Sequence, residues 1–434
     1  MSPASDPAER ALQMVDEDRV HRDIYRDPEA FVAEMDLIFS RTWVYVAHES
    51  EVAEVGDYKS TRIGTQPVIV NRDRQGRIRV MLNRCRHRAA TVCQLRSGNA
   101  TSFRCQYHGW TYDASGDLVG VPFPEGYEHR DRDELGLIQA PRVESYRGLI
   151  FASLAADVPP LVDHLGGARP YIDRFLDHLP GHQLVVADQA HRMVFDGNWK
   201  LQMENGVDGY HANFTHQSFF ALMQQATGEQ SRYISSKDEA QSAGPISASL
   251  GNGHGLLDQS QAASGVLRQR LRTLQGAPPD EADLTAYFGV PDAEALFNAT
   301  PGPGFNVAVF PNLQLIGIQI REILPVAVDR TEVVIRPMLG QGAPAAINRL
   351  RLRYHELFYG IGGFGQPDDM EMFRRVDAGL DATSDEWLWL DRGRRRERTG
   401  PEGSRTGHIT DEAPQRGQYA RYRELMAAGG EVNG

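Results

Sequence analysis

The sequence predicts an α+β protein in which a small antiparallel β domain interrupts a larger mixed domain. Three observations carry this. Over residues 1–40, segments such as AERALQMV and DPEAFVAEMDLIF repeat apolar residues three and four apart, which is the helical period. From Trp43 the texture changes to short β-rich runs, WVYVAH, PVIVNRD, IRVMLNR and LIFASL. Turn signals at GDYKS, RDRQGR and DASGD separate them. The Pro pair in DVPPLVDHL then closes the β stretch and helix returns. The expected division is residues 1–42 as an N-terminal helical part, 43–154 as the β domain and 155–434 as the remainder of the larger domain with a C-terminal tail.

Beyond residue 155 the elements alternate. VVADQAHRMVF, NVAVFPNLQLIGIQIREILPV and TEVVIRPML read as strands. Residues 197–225, 263–276 and 346–361 read as helices. Residues 224–265, rich in Gln, Ser, Ala and Gly, read as a long surface loop or mobile cover. Residues 391–419 are polar, with five Arg between Arg392 and Arg398, and read as a solvated, interface-seeking tail.

Composition bounds the function. Forty-six Lys and Arg against 58 Asp and Glu give 434 residues a formal net charge of −12. That balance opposes a main role in gripping nucleic acid or anionic membrane, both of which need a basic face. Three Cys exclude a disulfide-stapled scaffold. The apolar run Gly148–Ala156 is far shorter than the roughly 20 residues that span a bilayer. The first 20 residues mix acids and bases without an apolar h-region, so no secretory leader is read and the cytoplasm is the expected compartment.

Two constellations carry chemistry. In the first, Cys85-x-His87 is followed after 17 residues by Cys105-x-x-His108. Four such ligands fit either a tetrahedral structural zinc or a Rieske [2Fe–2S] cluster, with two Cys on one iron and two His on the other. Zinc fingers usually keep the Cys in one pair and the His in the other. Here each pair is mixed and set in β-rich sequence, which favours the cluster. In the second, Asp208, His211 and His216 stand out in NWKLQMENGVDGYHANFTHQSF. Asp208 and His211 share a helix face. Residues five apart point about 140° apart on a regular helix. A metal shared by both His therefore needs the helix to end or bulge between them.

CRHRAATV and CQYHGWTYDASGDLVG resemble the Rieske domain of aromatic-ring-hydroxylating oxygenases. Respiratory Rieske proteins carry an extra disulfide beside the ligands. Gln106 follows Cys105 here and Cys93 has no partner, which points to the oxygenase branch and leaves Cys93 a buried, idle thiol. The His motifs and the turn GIGGFGQPDDMEMF resemble the catalytic domain of the same family over residues 20–390. The benzoate, toluate and anthranilate group is the nearest in look, on ENGVDGYH, NLQLIGIQIREILPVAVDRTEV and PDDMEMF.

This resemblance implies a catalytic domain with a central antiparallel sheet flanked by helices, into which the β domain is inserted. It implies mononuclear Fe(II) held by His211, His216 and Asp369, a two-His-one-carboxylate set with positions open for O2. Asp368 is then expected as a helix N-cap. It also implies a trimer of such chains, in which Asp208 bridges His211 to His108 of the next chain. A small β subunit is implied, and a reductase, with or without a ferredoxin, delivers NAD(P)H electrons, since no flavin or nicotinamide fingerprint is present. Arg84, Arg86 and Arg88 beside the ligands would favour the reduced, more negative cluster and an acidic partner.

The expected activity is dioxygenation of an aromatic acid. Ring monohydroxylation, demethylation, a bare electron carrier and a zinc-stabilised interaction protein are the alternatives. Along Asn312–Glu322, read as one strand, Leu313, Leu315, Gly317, Gln319 and Arg321 share a face. Arg321 is read there first as a structural ion pair, and second as a carboxylate-binding group in a substrate pocket. His254, in GNGHGLL, is a loop residue that could reach substrate.

Overall fold

A computed structural model describes residues 6–127, 131–227, 246–260 and 281–430. The chain divides into two compact units, Met35–His164 and Met1–Glu34 with Leu165–Gly434.

The smaller unit is built from short antiparallel strands. One sheet pairs Val44–His48, Leu149–Ser153 and Arg142–Tyr146. A second orders Ile78–Leu82, Gln66–Arg72, Asp57–Ile63 and Ser97–Asn99. A third runs Ser102–Arg104, Thr111–Asp113 and Leu118–Gly120. The four β-rich runs read from the sequence are strands of this unit, but GDYKS, read as a turn signal, opens the seven-residue strand Asp57–Ile63 instead. Ile69, Met81, Phe103 and Tyr112 share its core with all three cysteines.

The larger unit centres on an antiparallel sheet, ten-stranded among the described residues. Its middle is Arg330–Gly340, Gln319–Ala327, Leu313–Ile316 and Phe305–Val309. The Trp199–Asn205 helix lies against this sheet and is buried on every side, with Trp199, Lys200, Gln202 and Met203 at 4% exposure or less. Asn198 caps it by accepting from Lys200 N at 3.1 Å. At the other end Gln314 Nε2 donates to the Gln202 and Met203 carbonyls at 2.9 and 3.0 Å, beside Gly206 N on the first and Gln418 Nε2 on the second.

Buried charge fixes the same helix sideways. Lys200 Nζ lies 2.5 Å from Glu34 Oε1. Glu34 also accepts from Trp199 Nε1 at 2.8 Å and Tyr422 OH at 3.0 Å. Glu204 Oε1 accepts from Tyr25 OH at 2.9 Å and Tyr419 OH at 2.6 Å. Burial pushes Glu204 up to about 7 even against these donors.

Four expectations are corrected here. The stretch read as a loop over 224–265 holds a buried hairpin, Ile246–Ser249 with Gly255–Asp258, inside the large sheet. Its small residues suit close packing, since a Cβ on Gly417 would fall 2.1 Å from Ser249 Oγ. The rest of that stretch, 228–245 and 261–265, and the helix expected at 263–276 lie outside the described residues. His254 closes the hairpin turn, fully buried, and accepts from Phe310 N at 3.0 Å through Nδ1, a structural post.

The 391–419 tail is part of the fold. Arg405–His408 joins the sheet, and the Ala413–Gly430 helix buries Tyr419, Tyr422 and Met426. Arg394 pairs with Glu17 and Asp18, Arg396 with Asp411, and Arg416 with Glu397, so these three are tie points, while Arg394, Arg395, Arg396 and Arg398 keep the solvent exposure the sequence suggests.

The run Asn312–Glu322 is two strands. Gly317, at φ 58°, turns the chain so that Ile316 pairs with Gln319 and Gln314 with Arg321. The turn reverses the alternation. Arg321 shares its face with Gln314, Ile316 and Gln319, and Leu313 and Leu315 face the other way.

A Cβ on Gly206 would fall 2.2 Å from Gln314 Nε2, so glycine lets the chain leave the helix over the sheet. Gly206→Ala should displace that amide, take one of two donors from each of the Gln202 and Met203 carbonyls and cost roughly 1–3 kcal/mol. Thermal melts of Gly206→Ala, Gln314→Ala and the double variant check this. The double variant should be less destabilised than the sum.

Candidate metal centres

In the smaller unit the two Cys–His segments form matching loops. Ala89 N donates to Cys85 O at 3.0 Å, and Gly109 N to Cys105 O at 3.0 Å. Cys85 N donates to Ala90 O at 2.8 Å, and Cys105 N to Trp110 O at 2.8 Å. Ala89 and Gly109 both have positive φ, 61° and 74°, which folds each loop back on its cysteine.

Cys85 and Cys105 are buried, and His87 and His108 are half-buried with ring centroids 4.4 Å apart. Trp110 stacks on His87 at 5.1 Å and 9°. His87 Nδ1 is buried without a hydrogen-bond partner. Two buried thiols, two outward imidazoles and one orphaned ring nitrogen are the donor set a [2Fe–2S] cluster takes. Burial raises the Tyr112 hydroxyl pKa, keeping it a donor, and its oxygen lies 3.3 Å from Cys85 Sγ. Cys93 bonds to Ser60 and Leu95. Arg84 and Arg88 are exposed, and among the described residues no ion pair engages them or Arg86.

In the larger unit the helix that carries Asn205 ends there. A short helix, Ala212–Thr215, follows, with His211 before it and His216 after it. His216, at φ −98° and ψ 32°, breaks the helix before Gln217–Thr227 begins. That break turns the two imidazoles to one point. His211 Nε2 and His216 Nε2 lie 3.6 and 3.4 Å from Asp369 Oδ1. Ligands about 2.1 Å from a common metal at open angles are separated by about 3–3.6 Å, which both distances match, and all three ligand atoms lie within 4.8 Å of one another, so the group could hold one ion.

Asp369 is 4% exposed in the first turn of helix Gln366–Gly379. Asn205 Nδ2 donates to its Oδ1 at 3.2 Å and lies 3.5 Å from His211 Nε2. Sequence reasoning missed Asn205, although it stands inside the ENGVDGYH run.

Asp208 stands behind His211, its Oδ2 3.3 Å from His211 Nδ1, while Oδ1 accepts from Tyr210 N at 2.6 Å. Burial works against both charges, but the attraction across this 3.3 Å contact prevails, lowering Asp208 and raising His211. Burial keeps His216 below its ordinary range despite Asp369, which suits a neutral ligand. Asp368 is not the N-cap. Gly365 holds that position, and Asp368 Oδ2 instead lies 3.7 Å from His216 Nδ1. Each imidazole thus has a carboxylate behind it as well as Asp369 in front, the arrangement that orients metal-bound histidines.

Phe358 packs on His216 at 5.0 Å and Phe219 on Phe358 at 4.8 Å, an apolar wall beside the triad. Arg321 is 2% exposed and lies over Tyr359 at 5.1 Å, near enough to Asp369 to feel its charge. Among the described residues no carboxylate comes within ion-pair distance of Arg321, so the structural ion pair expected for it is absent.

The chain resembles known proteins along most of its length. Residues 42–146 match the Rieske [2Fe-2S] domain family, and residues 183–428 match the ring hydroxylating alpha subunit (catalytic domain) family. It is 34% identical to the 2-halobenzoate 1,2-dioxygenase large subunit of Burkholderia cepacia, over 88% of this chain and 82% of that one. It is 34% identical to the toluate 1,2-dioxygenase subunit alpha of Pseudomonas putida, over 83% and 79%. A naphthalene 1,2-dioxygenase structure with indole in its active site superposes with TM-score 0.78 at 26% identity, covering 95% of this chain and 94% of that one.

Asp369→Ala should lose mononuclear iron while the visible cluster spectrum stays. Asp368→Ala, which loosens His216 only from behind, should weaken iron binding roughly 10-fold. Iron content and visible absorbance of the purified variants separate the two roles. Equal iron loss in both would show that the carboxylates act as one.

Proposed function

This chain belongs to the ring-hydroxylating alpha subunits, and on that premise we propose that it is the large subunit of a dioxygenase acting on an aromatic carboxylic acid. It is a Rieske-type aromatic-ring-hydroxylating terminal oxygenase that uses a [2Fe–2S] cluster and Fe(II). When bound, these groups supply single electrons and activate O2. Cys85, Cys105, His87 and His108 would hold the cluster, and His211, His216 and Asp369 the iron. The observation that carries this reading is the convergence of two Nε2 atoms on one Asp369 oxygen, 3.4 and 3.6 Å away.

The chain's own groups prepare that site. Asp208 holds a proton on His211 Nδ1, which directs the Nε2 lone pair forward. Asn205 fixes the Asp369 carboxylate. Phe358 and Phe219 exclude water and suit a flat ring. Arg321 anchors the substrate carboxylate, which supplies the charge its buried guanidinium lacks. In an assembly of three such chains, with a small β subunit and a separate reductase or ferredoxin, Asp208 has acceptor capacity left for the N–H of His108 from a neighbouring copy. No helix among the described residues is long and apolar enough to cross a membrane.

Oxygen uptake by the purified protein, with a reductase supplied, should depend on an aromatic acid such as benzoate, toluate or anthranilate. Uptake driven equally by the neutral ring would remove the acid from this reading. Asp208→Asn should leave iron content and cluster spectrum intact. Reoxidation of the pre-reduced cluster by substrate and O2 should slow at least about 100-fold. Wild-type reoxidation in that variant would refute the bridge.

A further inference from the structure

The Gly317 turn brings Gln319 onto the face that carries Arg321. The Gln319 amide has one acceptable orientation. Its oxygen accepts from Arg321 Nε at 2.9 Å and Nη2 at 3.0 Å, and its nitrogen donates to His355 Nδ1 at 3.2 Å. The reverse orientation would set the amide N–H groups against the guanidinium donors. His355 completes the lock. It is fully buried, and burial with the charges of His191 and Arg321 pushes it down to about 3 and keeps the ring neutral; the Gln319 contact makes Nδ1 the acceptor, which leaves the proton on Nε2, buried without a hydrogen-bond partner.

The same assignment weighs against a second metal candidate. His191, His355 and Glu356 have ligand atoms within 4.8 Å of one another. A metal on His355 Nε2 would drive the proton to Nδ1, against the Gln319 N–H groups. His191 Nε2 and Glu356 Oε1 already satisfy each other at 2.7 Å.

The buried cations of the larger unit show what is unusual about Arg321. Lys200 has Glu34, and Arg416 has Glu397. Arg351, fully buried without a carboxylate, spends all three nitrogens on Met338 O, Ala299 O and His178. Arg321 spends only its Nε–Nη2 edge, on a neutral amide. Its Nη1–Nη2 edge, a second fork that can take a carboxylate, meets no acceptor among the described residues.

We propose that Gln319 sets the charge class of the ligand: as a neutral partner it aims Arg321 without neutralising it, reserving the fork for the carboxylate of an aromatic acid. This rests on Arg321 being the carboxylate anchor. A glutamate at position 319 would have the same length and bind the same edge, but would supply the negative charge internally. Anionic ligands would then meet a satisfied arginine and a nearby carboxylate. His355 is the positioning residue behind it.

The test uses the iron-loaded holoenzyme and two ligands of nearly one shape: the best acid among benzoate, toluate and anthranilate, and its analogue with nitro in place of carboxylate. The readout is the ratio of their dissociation constants, with iron content and cluster spectrum as folding controls. Arg321→Met should shift the ratio against the acid by roughly 30-fold or more. Gln319→Glu should shift it in the same direction by a comparable factor. Gln319→Leu, which removes the orienting amide without adding charge, should shift it by less.

If Arg321→Met shifts the ratio and Gln319→Glu does not, Gln319 has no such role and the anchor stands. If Arg321→Met leaves the ratio unchanged, the anchor falls and the proposal with it. Equal loss of both ligands in Gln319→Glu would mark damage to pocket shape, and a shift in Gln319→Leu equal to that in Gln319→Glu would show that charge is irrelevant. Either result overturns the proposal.

Discussion

The Glu34–Lys200 ion pair is the constraint on which the catalytic side of this molecule rests. Two charges taken out of water stabilise a fold only when geometry is good and the remaining donors and acceptors are met. Glu34 meets that condition with Lys200, Trp199 and Tyr422 together. The arrangement joins three distant parts of the sequence: the N-terminal helices, the Trp199–Asn205 helix and the C-terminal helix. It fixes the helix from which the chain enters the proposed iron site. A triad assembled from His211, His216 and the remote Asp369 needs that stiffness, because an error of half an ångström at any ligand would spoil the shared point.

The arrangement around the two histidines follows from breaking a helix in the right place. A continuous helix would point them apart, and the sequence already announces this conflict. The sequence does not say how the break is built. It is made by ending one helix at Asn205, running a single turn over Ala212–Thr215 and starting again at Gln217. The break also releases Asn205 and Asp208 to serve as supports in front of and behind His211.

What was legible in the sequence, and what was not, has a physical pattern. The Cys–His spacing and the β texture around it were readable because ligand type and local loop geometry are both short-range. The helix break was readable because it is a matter of angle per residue. Three readings failed where tertiary contacts override local character. Ser and Gly in the Ile246–Ser249 hairpin look like loop until the Ala413–Gly430 helix is seen pressing on them. The arginines after Leu390 look like a solvated tail until Glu17, Asp411 and Glu397 are found opposite them. Asp368 looks like a cap until Gly365 is seen to hold that position. Counting alternation across Asn312–Glu322 failed for a simpler reason: two residues of turn, Gly317 and Ile318, reverse the parity.

That parity has an evolutionary side. Along the Gln319–Ala327 strand, Arg321 and Glu322 are adjacent and therefore face opposite ways. A deletion or insertion of one residue at the Gly317 turn would exchange them. The side that now presents a cation would present an acid, in one genetic event and without altering any codon for a charged side chain. With Arg321 as the proposed anchor, descendants of this scaffold could thus cross from anionic to cationic ligands by a change in loop length, a route that comparing side chains column by column in an alignment would overlook.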